Sequence, residues 1–262
     1  MDDNYQTYLN RVTRQALPET YLSQLQHIQE SPKFEHLPDG SFQASSFPGY
    51  TVITPPWEED DENRDFYTKL KEIQEQLLQE TDAGLIVPVP PESFHLTLAD
   101  LIWDSAYLDA KGENPNFEEQ LQTCIGDCFR PYADKFQANY PLFWELVGLM
   151  VMPRAISVCL TPKDENSYER TVQLRRFIYQ NRDLIALGLE QQYHFTAHVT
   201  LGYFGEISPQ LDCERLSSIL SELNQRSLST PTPTICIKQA QLRKFDDMIH
   251  YYRQPDWPFL EF

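Results

Sequence analysis

The tetrapeptides His95-Leu96-Thr97-Leu98 and His198-Val199-Thr200-Leu201 constrain this chain more than any other feature of its sequence. They repeat one pattern 103 residues apart in a chain of 262. In a β-strand successive side chains alternate, so the His and Thr of each tetrapeptide share one face and the intervening residue packs on the other. Each tetrapeptide therefore sets an imidazole beside a hydroxyl. If the two are related by approximate two-fold symmetry, the pairs oppose one another across a cleft. A lone His on a strand is an ordinary surface or core residue; a matched pair in equivalent settings is more than the scatter of six histidines yields.

The rest of the chain supports two such settings. Glu62 to Glu80 reads as a helix with Phe66, Leu70, Ile73, Leu77 and Leu78 on one face. Leu85–Val89 and Ser93–Leu101 read as strands, the second carrying His95. A helix follows from Phe117 to about Lys135, then two strands, Phe143–Met152 and Ile156–Leu160, joined at Pro153-Arg154. A third helix, Glu165 to Gln180, leads to a strand over Ala197–Phe204 that carries His198. A fourth helix, Asp212–Gln225, precedes a closing strand pair, Thr234–Lys244 and Met248–Tyr252, turned at Asp246-Asp247. Each half thus reads helix, His-bearing strand, helix, strand pair: a duplication of structure with almost none of sequence. Antiparallel sheets with helices packed outside make an α+β fold. Residues 1–47 are read separately, as a helical and irregular N-terminal arm that wraps a neighbouring surface and reaches the cleft, and residues 48–262 as the bilobal domain.

Composition sets the outer bounds. Hydrophobic residues make up 41% of the chain and aromatics 13%, enough for a globular core. No apolar run is long enough to span a bilayer, and the N-terminus lacks the basic start and apolar stretch of a secretory signal. The formal net charge of −18 opposes association with long nucleic acids and anionic membranes. The five cysteines, an odd number, form no disulfide framework or metal-ligand spacing, so reduced thiols and a cytoplasmic location are expected. No metal ligand set and no cofactor motif is read.

The two His-x-Thr-hydrophobic motifs resemble those of the 2H phosphoesterase superfamily, matching residue by residue at His95, Thr97, His198 and Thr200. The resemblance extends over most of residues 48–253. It implies a bilobal, pseudo-two-fold α+β fold with two antiparallel sheets flanking a central cleft, and metal-independent hydrolysis of a phosphodiester. Two imidazoles titrating near neutrality can take a proton from the nucleophile and give one to the leaving oxygen. The hydroxyls of Thr97 and Thr200 can bond the non-bridging oxygens. The expected substrate is a small cyclic phosphate, such as a 2′,3′-cyclic nucleotide, taken by a monomer. The alternatives are a nucleotide- or phosphate-binding protein without turnover, and an RNA-end processing phosphodiesterase, which needs a basic groove.

Other residues are candidates for substrate contacts. Tyr203, two positions past Leu201, is read as facing the cleft and stacking on a base. His194, in the competing register His194-Phe195-Thr196, is read as a contact near His198. Arg154, at the turn of the central strand pair, can reach a phosphate. Tyr50 is placed at the cleft lining, with Trp103 as a further candidate. Arg175-Arg176 and the acidic run Glu58–Glu62 are read as solvated surface.

Overall fold

The computed structural model describes residues 2–136, 140–229, 231 and 233–262. The chain opens with two helices, α1 (Tyr5–Gln15) and α2 (Pro18–Leu25), and a short hairpin of β1 (Phe34–His36) and β2 (Phe42–Ala44). Then come β3 (Gly49–Ile53), α3 (Arg64–Glu80), β4 (Ile86–Pro88) and β5 (Thr97–Trp103). Two further helices, α4 (Asp104–Glu113) and α5 (Phe117–Lys135), lead to the hairpin β6 (Leu142–Val151) and β7 (Ala155–Pro162). After α6 (Glu165–Tyr179) and α7 (Arg182–Ala186), β8 (His198–Phe204) and α8 (Cys213–Leu228) follow. The chain closes with β9 (Ile235–Ile237), β10 (Gln239–Phe245), β11 (Tyr251–Tyr252) and β12 (Phe259–Glu261).

The strands form two five-stranded sheets in which every observed pairing is antiparallel. One runs β11-β10-β3-β5, with β12 pairing β10 beside β11. The other runs β4-β8-β7-β6-β9. The architecture is the α+β, two-sheet arrangement expected of a 2H phosphoesterase, with one motif in each sheet. The helices carry apolar stripes that the sheets bury: Phe66, Tyr67, Leu70, Ile73 and Leu77 of α3 are in the core, as are Leu174 and Ile178 of α6. Asn4, Asp164 and Asp212 accept a hydrogen bond from a first-turn amide of α1, α6 and α8, satisfying donors that the helix leaves open.

Two expectations need correction. The strand read from Ser93 begins only at Thr97, because Pro91–Ser93 forms a short 3-10 turn in which Ser93 Oγ donates to the Pro90 carbonyl. The strand read over Thr234–Lys244 is two strands in different sheets: β9 pairs β6, whereas β10 pairs β3. The Asn63 side chain fixes that separation, bonding the backbone of Cys236 on both its N–H and its carbonyl, at 2.7 and 2.8 Å. Two helices, α4 and α7, occupy stretches to which the sequence assigned no element.

The two N-terminal helices are built into the core. Tyr8 and Tyr21 are fully buried. The Tyr8 hydroxyl donates to the Leu160 carbonyl at 2.9 Å and accepts from the Ala197 N–H at 3.0 Å, tying α1 to β7 and to the residue before His198. The segment that follows touches both sheets. Ser31 N–H donates to the Phe204 carbonyl of β8, and Phe47 N–H to the Asp246 carbonyl beside β10. Among the described residues no helix is long and apolar enough to cross a membrane. All five cysteines are free thiols.

Candidate active site

A cavity of about 840 Å³ lies between the two sheets, lined by His95, Thr97, His198 and Thr200 together. The two histidines are hung in the same way. His95 Nδ1 donates to the Ser93 carbonyl and His198 Nδ1 to the Thr196 carbonyl, each at 2.7 Å and each two residues back along the chain. A carbonyl can only accept, so Nδ1 carries the proton in both rings and the neutral imidazole presents Nε2 as a free acceptor. The arrangement offers two proton-transfer nitrogens and two hydroxyls to one enclosed space.

The motifs also share a backbone irregularity. In the β3–β5 ladder Ile53 pairs Thr97 and Val52 pairs Ala99, so Leu98 is an extra, bulged residue. In the β7–β8 ladder Ser157 pairs Thr200 and Ile156 pairs Gly202, so Leu201 is bulged at the equivalent position. A bulge leaves a backbone group out of the ladder and turns the strand. Each bulged carbonyl is met by a buried side chain. Arg175 of α6 donates to the Leu98 carbonyl at 2.7 Å, and Gln74 of α3 donates to the Leu201 carbonyl at 2.7 Å and to the Val89 carbonyl at 2.8 Å. Arg175 is buried, and its other donors reach the buried Asp2 carboxylate at 2.8 Å. The solvated surface expected of Arg175 is therefore wrong: its partners lie 77 and 173 residues away in sequence and leave no local signal.

The bulge explains how Tyr203 reaches the cavity. Strict alternation from His198 puts residue 203 on the opposite face; the extra residue at Leu201 turns it inward. The corresponding position after the first motif is Asp100, which also lines the cavity. Tyr203 is largely buried, with its ring 5.5 Å from that of Phe34. His194 sits exposed at the rim, 3.6 Å from Asp3 Oδ1. Arg154 lies at the β6–β7 turn and lines the cavity, its guanidinium donating to Gln29 Oε1 at 3.1 and 3.3 Å. Trp103 also lines it. Tyr50 does not: its side chain is fully buried on the other face of β3, against Tyr107 and Trp257, while its neighbour Thr51 faces the cavity. The placement of Tyr50 at the cleft is thereby corrected.

Several cavity residues carried no sequence signal. The Tyr251 ring packs on His95 with centroids 4.3 Å apart. Behind it, Arg243 is buried, donates to the Tyr251 carbonyl at 3.3 Å and pairs bidentately with Glu59, which is not the purely solvated residue the acidic run suggests. Lys33, just before β1, also lines the cavity. Burial, opposed by the hydrogen bond to the Ser93 carbonyl and aided by the neighbouring His198 and Arg243, brings the His95 pKa down to about 4. Among the described residues no group of three or more His, Cys, Asp or Glu is arranged to hold a metal ion.

Residues 33–110 match the family model described as "2H-phosphodiest: Domain of unknown function (DUF1868)". The resemblance to the 2H phosphoesterases is borne out. The matched stretch contains the first motif of this 2H phosphoesterase-like chain and ends before the second. Among solved structures, a conserved protein of unknown function from Agrobacterium tumefaciens, ATU0111, superposes with a TM-score of 0.58 at 16% identity, covering 89% of this chain and 96% of that one. The likeness is one of fold. TT0787 of Thermus thermophilus aligns more loosely, with a TM-score of 0.41 at 16% identity over 74% of this chain and 86% of that one. E. coli LigT complexed with 3′-AMP gives a TM-score of 0.37 at 14% identity over 82% and 95%. No curated protein sequence matches the chain.

Proposed function

We propose that this chain hydrolyses a small cyclic phosphodiester, such as a 2′,3′-cyclic nucleotide, by acid/base catalysis between His95 and His198. The observation that carries this reading is the matched suspension of the two rings on Ser93 and Thr196, which leaves both Nε2 atoms free within one cavity. His95, held neutral by burial, is the base: it takes a proton from water as the water oxygen forms its bond to phosphorus. His198 must enter the step as the imidazolium, with Nδ1–H kept on the Thr196 carbonyl; it gives its Nε2 proton to the sugar oxygen as the phosphorus–oxygen bond breaks, leaving a phosphomonoester. Thr97 and Thr200 donate to the non-bridging oxygens, where negative charge grows in the transition state. Tyr203 and Arg154 contact the remainder of the substrate, and His194 guards the rim. No step calls on a metal ion.

The test is hydrolysis of a panel of 2′,3′- and 3′,5′-cyclic nucleotides in the presence of EDTA, with His95→Asn and His198→Asn as controls. Turnover that disappears in both variants supports the reading. Tight nucleotide binding with no turnover by the wild-type protein would replace it with that of a binding protein.

A further inference from the structure

Two cations line the cavity without an anionic partner. Lys33 lies under two aromatic faces, its Nζ 4.6 Å from the Phe47 ring centroid and 5.0 Å from that of Tyr203. Among the described residues neither Lys33 nor Arg154 is within ion-pairing distance of a carboxylate; Arg154 is met by the neutral Gln29. Burial, opposed by the charge of Asp100 and aided by that of Arg154, leaves the Lys33 pKa down at about 8. A desolvated ammonium without a counter-ion is costly, and the cost is recovered when an anion arrives. The rings explain why the ammonium tolerates its place, since cation–π attraction supplies part of what water would. They do not explain why a chain of net charge −18 leaves two cations unpaired in the same cavity.

The position of Lys33 is built rather than incidental. The Ser45 N–H donates to the Lys33 carbonyl at 2.9 Å, and the Lys33 N–H donates to Ser31 Oγ at 3.3 Å. Ser31 is tied to β8 at Phe204, Gln29 to Pro153 beside Arg154, and Phe47 to Asp246 of the opposite sheet. One segment thus spans the two sheets and sets Lys33 on Tyr203, five residues beyond His198. The scissile phosphodiester is already served by the two imidazoles and two hydroxyls, so these cations address a different part of the substrate.

We propose that Lys33 and Arg154 form a second anion subsite, which selects a cyclic phosphate bearing a further phosphoryl group elsewhere on the same molecule. The proposal rests on the phosphoesterase reading for the seat of the first phosphate. Its chemical class is a nucleoside cyclic phosphate also phosphorylated at the 5′ position.

Binding of adenosine 2′-monophosphate and adenosine 2′,5′-bisphosphate to the full chain, measured by calorimetry at fixed ionic strength, tests the subsite without turnover. The bisphosphate should bind at least about ten-fold more tightly to the wild-type protein, as one added charge-assisted contact gives. Lys33→Met, which keeps the apolar stem, and Arg154→Gln should each shrink that ratio several-fold; Lys33→Arg should preserve it. Equal affinities in the wild-type protein, no measurable binding of either nucleotide, or a ratio unmoved by both charge removals would overturn the proposal. Hydrolysis of 2′,3′-cyclic AMP and its 5′-phosphorylated form, run in parallel, judges the phosphoesterase reading separately. No turnover of either with the binding ratio intact would sink that reading and leave the anion subsite standing.

Discussion

The Nη1 atom of Arg175 donates to the carbonyl of Leu98 at 2.7 Å, so a helix of the second half holds the bulge of the first histidine motif. Gln74, on a helix of the first half, does the same for Leu201 in the second motif. The exchange is reciprocal: each half supports the strand on which the other half's imidazole and hydroxyl are set. An error in docking the halves would therefore disturb both motifs. Gln74→Leu leaves the Val89 carbonyl without its side-chain donor and the Leu201 carbonyl with only the Val89 N–H, at 3.1 Å. It should cost about 1 to 3 kcal/mol, from one buried acceptor losing its donor, measured by urea denaturation. Arg175→Met strands both a carbonyl and the buried Asp2 carboxylate, and should cost about 3 to 5 kcal/mol, the range for breaking one side of a buried pair.

His95→Asn and His198→Asn should each lower kcat for the cyclic phosphodiester by roughly 10²- to 10⁴-fold, the usual contribution of a positioned acid or base. Asn can replace the ring's hydrogen bond to the carbonyl but cannot carry the proton. Circular dichroism and melting temperature should stay close to the wild-type values, since both rings are half-buried at the cavity wall. A fall of less than about ten-fold in either variant would mean that its ring does not transfer a proton.

The depressed pKa of His95 makes a pH prediction of definite sign. In the unfolded chain the ring takes a proton near pH 6.5, in the folded chain only near pH 4. Between these values the unfolded state binds more protons, so stability falls as pH falls, by as much as about 3 kcal/mol across the window. Above about pH 6.5 the ring is neutral in both states and contributes no slope. Replacing His95 with Asn should flatten this part of the stability–pH curve. The acid limb of kcat/KM should likewise fall near pH 4 if His95 is the base; a limb near 6.5 would count against the assignment.

Tyr251 acts on His95 through its ring. Its hydroxyl has only a weak contact, 3.9 Å to the Met248 sulfur, whereas its ring lies 4.3 Å from the imidazole. Tyr251→Phe should keep kcat within a few-fold of wild type. Tyr251→Ala should admit water beside His95, move its pKa up toward the model-peptide value of about 6.5, and slow turnover. NMR titration of the imidazole would report the shift directly.

How far the sequence discloses this molecule follows from where each signal resides. His95, Thr97, His198 and Thr200 were legible because strand alternation alone makes a repeated His-x-Thr meaningful, and α3, α5 and α6 because each carries an apolar stripe. The helix α4 was not legible: it buries only Tyr107 and offers no stripe to read. Tyr50 and Thr51 illustrate a finer limit. Both sit on β3, and only the side of the sheet that meets the cavity decides which is a lining residue. The misreading of Arg175 as solvated surface and the silence of the sequence on Arg243 and the ring of Tyr251 have a different reason. The roles of all three come from contacts between distant stretches of chain, and neither composition nor periodicity encodes those.

Arg11 tests whether the N-terminal helix serves the site as well as the core. From α1 it donates to Thr196 Oγ1 and to the Phe195 carbonyl, each at 2.6 Å, and pairs with Asp3 at 2.8 Å. Thr196 in turn supplies the carbonyl on which His198 hangs. Removing the guanidinium should loosen residues 195 and 196 and let the His198 ring rotate out of line. Small displacements of a catalytic group can cost up to about 10²-fold in rate. Arg11→Ala should therefore lower kcat about ten-fold or more while changing KM little, because the group touches no substrate. Arg11→Lys should recover only part of the loss, since one ammonium cannot reproduce the spread of guanidinium contacts to hydroxyl, carbonyl and carboxylate. If Arg11→Ala instead lowers stability with no change in kcat, the N-terminal helices serve the core alone and the positioning of His198 lies with Ala197 and the β8 ladder.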